Sequence, residues 1–481
     1  MYLSENRLLR MSTLCGLYVA QGIPWGFVTV TFAAWLAKPE HGITAEQIGP
    51  ILAVASLPWS FKFVWGPMMD RFTIRRFGRR RPWIVFAQSM AILVLGSLLF
   101  FDDLPSLVWT DVPDTGGSLQ TLYRLVPGPL AALVLLANIF VSVQDVAVDA
   151  LAVDLLREDE RGVANGLMYG SSYLGSAIGG MGLGIVVARY GIRAGLLTQA
   201  AMLFAIMLLP ICFRERPAAS DSADNIDAPK QRLADPSAGS VDFGELPITP
   251  PIADTPTLGT PAPALDAESD VGAARESVFM NLLKAFSLRS TLLGAFVALG
   301  TKIGIGVLTA VFVDYLIKQG GWSQEDYSSI IGGWALLLGL SGAAAGGFLA
   351  DRLGPKRIIF AVSLLLGSLW IGFGLVPSAL AVRPLVIGLM LSQELLLGVL
   401  SVSLFTLFMS ISWPRVAATQ FTAYMSLMNV STTIGSYLSS LLVVRLSIAQ
   451  ILMVSGVLQI VMVLPVLLID VKQTRRVLGE S

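Results

Sequence analysis

Long apolar runs alternate with short polar ones along most of the chain, each long enough as a helix to cross a hydrocarbon core, which takes roughly 20 residues. They fall at 11–36, 46–69, 84–101, 127–155, 161–188 and 191–213, and again at 288–317, 324–350, 358–376, 384–410, 416–441 and 447–469. The pattern predicts an all-α integral membrane protein of about twelve transmembrane helices in two sets of six. Between the sets it stops. Residues 214–280 are rich in Pro, Ala, Asp, Ser and Thr and show no apolar period, and such a segment cannot bury enough apolar surface to offset its ordering entropy. The expected organisation is a six-helix bundle over 1–213, a disordered cytoplasmic linker over 214–280 acting as a tether, and a second six-helix bundle over 281–481.

Composition agrees: 54% of the 481 residues are hydrophobic and 14% charged, outside the balance of a soluble globular protein. Net charge is zero, so bulk attraction to nucleic acid is not implied. The bases are unevenly placed. Arg7, Arg10, Arg71, Arg75, Arg76, Arg79, Arg80, Arg81, Arg352, Lys356, Arg357, Lys472, Arg475 and Arg476 fall on one set of loops and ends, whereas the loop after the third run carries Asp102, Asp103, Asp111 and Asp114 against Arg124. The positive-inside rule puts the basic side, with both termini, in the cytoplasm. The first run is longer than a signal-peptide core and lacks a convincing cleavage site, so it is read as the first span. Cys15 and Cys212 fall inside spans as packing thiols. His41, the lone histidine, is read as a solvated loop residue. No metal site, cofactor or histidine-led catalysis is expected.

Two loops share one motif. Gly66-Pro67-Met68-Met69-Asp70-Arg71, leading to Gly78-Arg79-Arg80-Arg81, returns as Gly347-Phe348-Leu349-Ala350-Asp351-Arg352, leading to Gly354-Pro355-Lys356-Arg357. Arg161-Gly162-Val163-Ala164 is echoed in the same way by Arg415-Val416-Ala417-Ala418. The paired Gly-x-x-x-Asp-Arg loops resemble the signature of the major facilitator superfamily. That resemblance implies two parallel-related bundles with a site at their interface, the organisation of many secondary transporters. Gly66, Asp70 and Arg71, with Gly347, Asp351 and Arg352, are expected to latch helix ends at the cytoplasmic gate. The glycines of span five, Gly166 to Gly184, are read as packing surfaces.

Ionisable side chains inside spans are costly in hydrocarbon and so mark function or pairing. They are Lys62 in span two, Asp145 and Asp149 in span four, Lys302 in span seven and Glu394 in span ten, with Gln21, Gln144 and Gln393 as expected polar cavity residues. In the superfamily fold, spans one, four, seven and ten line the cavity. Asp145 and Asp149 are four apart and share a helical face. Lys62 lies ~12 Å above Asp70 and Asp145 ~13 Å above Asp154 by helical rise, so they can meet. Lys302 and Glu394 are read as the matching pair of the second half, or Lys302 as an anchor for an anionic group of the substrate with Glu394 as its counter-ion. Asp149 has no lysine assigned to it and is the preferred proton carrier. Trp25, Trp35, Trp59 and Trp65 are candidates for stacking on a ring or for interfacial anchoring, and Pro24 and Pro58 for kinks.

Several segments narrow the resemblance: Gln21-Gly22-Ile23-Pro24, Phe61-Lys62-Phe63-Val64-Trp65-Gly66-Pro67, Phe77-Gly78-Arg79-Arg80-Arg81, Gln144-Asp145-Val146-Ala147-Val148-Asp149, Lys302-Ile303-Gly304 and Ala418-Thr419-Gln420-Phe421. They are similar to the AmpG-type muropeptide permeases and the related acetyl-coenzyme A transporters. The resemblance implies a monomeric permease that imports anhydro-muropeptides, a small glycopeptide cargo, by proton symport across the lipid bilayer. An acetyl-coenzyme A transporter or a siderophore permease is the alternative within the same branch. A non-transporting sensor or membrane enzyme is the different class, but the sequence holds no His-Glu-x-x-His and no Gly-x-Ser-x-Gly.

Overall fold

The computed structural model describes residues 2–71, 78–108, 128–156, 160–215 and 280–478. The expected linker lies outside the described residues from 216 to 279. Ten described helices are long and apolar enough to cross a membrane: Arg7–Leu36, Arg81–Phe100, Pro129–Leu155, Gly166–Tyr190, Ile192–Cys212, Arg289–Lys318, Gln324–Leu353, Pro355–Leu375, Arg383–Ile411 and Ile448–Leu478. Two less apolar rods complete the pattern, Ala45–Ser56 continuing through Leu57–Phe61 into Lys62–Arg71 at span two, and Ala417–Val443 at span eleven. Local signals set the ends. Asn6 accepts the Leu9 amide at 3.1 Å to cap span one, and Pro129 and Pro355 open spans four and nine in the first turn, where a missing N–H costs nothing. Gly191 and Gly354, at φ 84° and 86°, turn the chain into spans six and nine through a backbone conformation that side chains disfavour.

In the first half, span one packs on span five and span three on spans four and six; in the second, span eight packs on ten, nine on twelve and seven on eleven. The halves meet along two seams, span two against spans eleven and seven, and span five against span eight. This explains why spans two and eleven are the less apolar ones. They face each other rather than lipid, and Ser, Thr, Asn and Gly make close, hydrogen-bonded contacts between membrane helices. Ser56 and Thr433 share a hydrogen bond at 2.8 Å, and Asn429 donates to the Trp59 carbonyl at 3.3 Å. Nearer the face bearing the 37–44 and 319–323 turns, Arg189 pairs with Glu325 at 3.2 Å and Lys318 donates to the Ile43 carbonyl. Among the described residues, the bonds joining the halves thus cluster from mid-depth to that face.

Several spans are irregular. Widened π-helical turns occupy Phe27–Phe32, Ile178–Gly182 and Ile330–Ala335 in spans one, five and eight, and span two tightens over Leu57–Phe61, where Pro58 sits. Span seven breaks between Gly300 and Ile303. At the five–eight seam the backbones touch: a Cβ on Gly332 would fall 2.5 Å from the Gly180 carbonyl carbon. The glycines of span five divide their work. Gly175 and Gly179 face span one and Gly180 and Gly184 face span eight, while Gly166 and Gly170 meet open space, so the packing reading does not extend to those two. His41 also departs from expectation. Its Nδ1 lies 2.8 Å from the Trp35 carbonyl and its ring 4.3 Å from the indole, so it packs against the end of span one instead of standing in solvent.

Candidate functional site

A cavity of about 440 Å³ lies between the halves. The first half gives it Trp25 and Thr29 from span one and Tyr169 and Tyr173 from span five. The tyrosine rings lie 5.4 Å apart, and Trp25 is braced edge-on by Trp59 at 5.6 Å. The second half gives it Lys302, Gln393 and Glu394. One wall is therefore aromatic and the other charged.

Lys302 occupies the break in span seven, directly ahead of the helix Ile303–Lys318. Its backbone N–H donates to Ser431 at 3.0 Å and its Nζ to Ser401 at 3.0 Å. Ser401 lies seven residues beyond Glu394 on span ten, ~10 Å along the helix. The expected Lys302–Glu394 ion pair is not formed, because Ser401 holds the ammonium two turns from the carboxylate. Glu394 instead receives a long contact from the Gln393 amide at 3.5 Å, while Gln393 accepts the Trp370 indole N–H at 2.8 Å. The wall presents a cation at the start of a helix, where backbone N–H groups add positive potential, and a separate carboxylate.

The charges of the first half form a second cluster. Lys62 pairs with Asp145, bringing span two to span four, and the Tyr18 hydroxyl of span one donates to Asp149. Trp65 donates to Ser142 at 3.2 Å one turn before that pair. Asp145 and Asp149 thus share a face as expected but have different partners, and neither lines the cavity. Gln21 and Gln144 are buried away from it, leaving Gln393 as the cavity member of the expected amide set. Helix continues through Gly66, Asp70 and Arg71; their side chains lie outside the described set. Asp351 and Arg352 are exposed beyond Gly347, and the Arg352 guanidinium stacks 4.2 Å from the Phe348 ring. Trp35 stacks on Phe32 at 5.8 Å in the core and has no place in the cavity. Among the described residues no group of His, Cys, Asp and Glu is placed to hold a metal ion.

Tyr18, Ser401, Ser431 and the two cavity tyrosines went unread in the sequence. Tyr18 carried a usable signal: Trp25 and Thr29 follow it at seven and eleven residues, on one helical face.

Residues 10–175 match the family model described as acetyl-coenzyme A transporter 1. Over 230 residues the chain is 26% identical to the anhydromuropeptide permease of Escherichia coli, covering 48% of this chain and 41% of the permease. Over 167 residues it is 30% identical to the putative transporter AmpG 4 of Rickettsia felis, covering 34% of this chain and 35% of that protein. The chain thus spans less than half the length of these relatives. Among solved structures, that of the nucleoside transporter NupG superposes with a TM-score of 0.61 at 10% identity, covering 95% of this chain and 99% of NupG. A peptide transporter POT structure gives 0.61 at 13% identity over 95% and 93%. The fold is the major facilitator fold, and the chain is a multi-pass membrane protein.

Proposed function

We propose that this chain is a secondary active transporter that works by alternating access, importing anhydro-muropeptides with protons across a bacterial inner membrane, its termini cytoplasmic. The observation that carries the reading is the break of span seven at Lys302 inside a cavity between two six-helix halves, since broken helices at the mid-plane interface of repeats are where such transporters bind cargo. Similarity to the E. coli permease supports the cargo. With the basic loops in the cytoplasm, the closed seams would face outward, as in an inward-facing conformation.

The cavity also bears on the cargo. Lys302 is the one cation among the described residues lining it. A sugar with a single nearby carboxylate suits one cation and a wall of Tyr169, Tyr173 and Trp25, because aromatic faces cover the apolar faces of sugar rings and a lysine holds one anionic group. Acetyl-coenzyme A, the cargo suggested by the matching family model, brings several phosphates, and Glu394 in the same wall opposes them. The glycopeptide is therefore the better fit.

Asp149 is the proposed proton carrier. The test is uptake of labelled anhydro-muropeptide into proteoliposomes with and without an inward proton gradient, beside labelled acetyl-coenzyme A. Gradient-stimulated accumulation of the muropeptide is expected; accumulation of acetyl-coenzyme A alone would reassign the cargo. In the same assay Asp149→Asn is expected to insert normally into the membrane and to lose accumulation against a gradient.

A further inference from the structure

The carboxylates proposed to carry the proton do not touch the cavity proposed to hold cargo, so something must join the two. Span one is built to do so. Tyr18 donates its hydroxyl to Asp149, and Trp25 and Thr29 stand in the cavity wall. Seven and eleven residues are close to two and three full turns, which puts these side chains on one face within ~17 Å of rise. Thr29 further ties itself to the Trp25 carbonyl at 2.8 Å. The widened turn Phe27–Phe32 begins just past Trp25, and Pro24 precedes it within the helix. Both features loosen the regular hydrogen-bond ladder and are common where a helix must adjust.

We propose that Tyr18 is the positioning residue that couples cargo binding to proton uptake at Asp149, a role that rests on the proton-symport reading above. The chemistry is specific. While Asp149 is ionised, both its oxygens accept, and the Tyr18 hydroxyl donates to one of them. When Asp149 takes a proton, one oxygen becomes a donor while the other still accepts, so the phenol keeps donating only if the proton sits on the oxygen it does not touch, and otherwise turns to accept. The tilt of span one determines which arrangement Tyr18 can reach. Cargo pressing on Trp25 and Thr29 acts on that tilt two turns away. By linkage, a proton that favours cargo must itself be favoured by cargo to the same degree.

The other groups around Asp149 are accounted for. Asp145 on its own helix pairs with Lys62 of span two, and both charges also act on Asp149, in opposite senses; from span three Arg80 reaches Asp154 at the helix end, 3.0 Å away. Tyr18 is the neighbour whose hydrogen bond to Asp149 loses its charge assistance, or changes direction, when the proton arrives.

The experiment is calorimetric binding of the N-acetylglucosaminyl-anhydro-N-acetylmuramyl disaccharide to the purified full chain in two buffers of different ionisation enthalpy, which reads the protons taken up per molecule bound. The parent is expected to take up protons on binding. Tyr18→Phe, which keeps the ring and removes the hydroxyl, is expected to lose most of that uptake; Asp149→Asn loses it from the other side of the same bond, and the double variant matches Asp149→Asn. A purely structural role for Tyr18 would lower the melting temperature and leave the proton count unchanged. If Tyr18→Phe takes up as many protons as the parent while Asp149→Asn does not, the role of Tyr18 is overturned and the coupling reading stands. If the parent binds without taking up protons, the symport reading fails and the role of Tyr18 with it. Should Tyr18→Phe not fold, uptake in Asp149→Asn equal to that of the parent would still overturn the proposal.

Discussion

At the scale of single residues, the two lysines inside the spans have opposite environments. Lys62 is neutralised by Asp145, with side chains 29% and 9% exposed, whereas the Lys302 ammonium donates to Ser401 and has Glu394 within electrostatic reach but not in contact. A charge whose partner is removed in such a site costs more than the pair contributes. Lys62→Met is therefore expected to destabilise the purified protein by on the order of 2 kcal/mol, discounted from the fully buried case because Lys62 is partly exposed. Lys62→Met with Asp145→Asn should recover most of the loss in a detergent melt. Failure to recover would mean that the pair does more than neutralise itself. For Lys302 the prediction concerns cargo. Losing a charged hydrogen bond of about 1.5–3 kcal/mol should raise the KM for an anionic muropeptide roughly ten- to hundredfold in Lys302→Gln. Lys302→Arg should retain part of the affinity. An unchanged KM in Lys302→Gln would remove the anion from that position.

At the scale of elements, the seam between spans five and eight sets a steric limit on how the halves meet. Gly332 approaches the backbone of Gly180 so closely that even a Cβ forces the helices apart, and Thr31 braces the same turn by donating to the Gly179 and Gly180 carbonyls at 2.8 and 2.7 Å. Gly332→Leu is thus expected to hold this seam open. With Cys15 and Cys212 replaced by Ser, a Ser328→Cys reporter beside Gly184 should react several-fold faster with a membrane-impermeant thiol reagent in the Gly332→Leu background; an equal rate would show that the seam tolerates the side chain. The span ends were legible in the sequence to within a few residues, because hydrophobic length and first-turn prolines set them locally. The π turns, the break at Lys302 and the split role of the span-five glycines were not. Each depends on which neighbour the helix meets, as Ser431 meets the Lys302 amide, and no local pattern records that. The Lys62–Asp145 pair was legible because counting back from the cytoplasmic ends of two helices that run in the same direction brought both charges to one depth. Ser401 was hidden because it is one hydroxyl among many on span ten.

At the scale of the whole molecule, alternating access requires that the closed seams part and that the cavity open on the other face. The seam between spans two and eleven offers a direct test, because Ser56 and Thr433 sit on opposite halves with their hydroxyl oxygens 2.8 Å apart. A disulfide needs its sulfurs ~2 Å apart and Cβ atoms about 3.5–4.5 Å apart, and side chains whose terminal atoms already touch across a seam are close to that geometry. In a background with Cys15 and Cys212 replaced by Ser, the pair Ser56→Cys and Thr433→Cys should cross-link under mild oxidation. The bond would hold the halves in the conformation seen here, at the cavity wall to which Ser56 contributes. Net uptake into proteoliposomes should then fall to background and return on reduction. Binding of cargo from the open side should persist in the cross-linked protein, which separates a locked transporter from an unfolded one. Full uptake by a verified cross-linked protein would mean that this seam does not part during transport, and the alternating-access mechanism would have to run through spans five and eight alone.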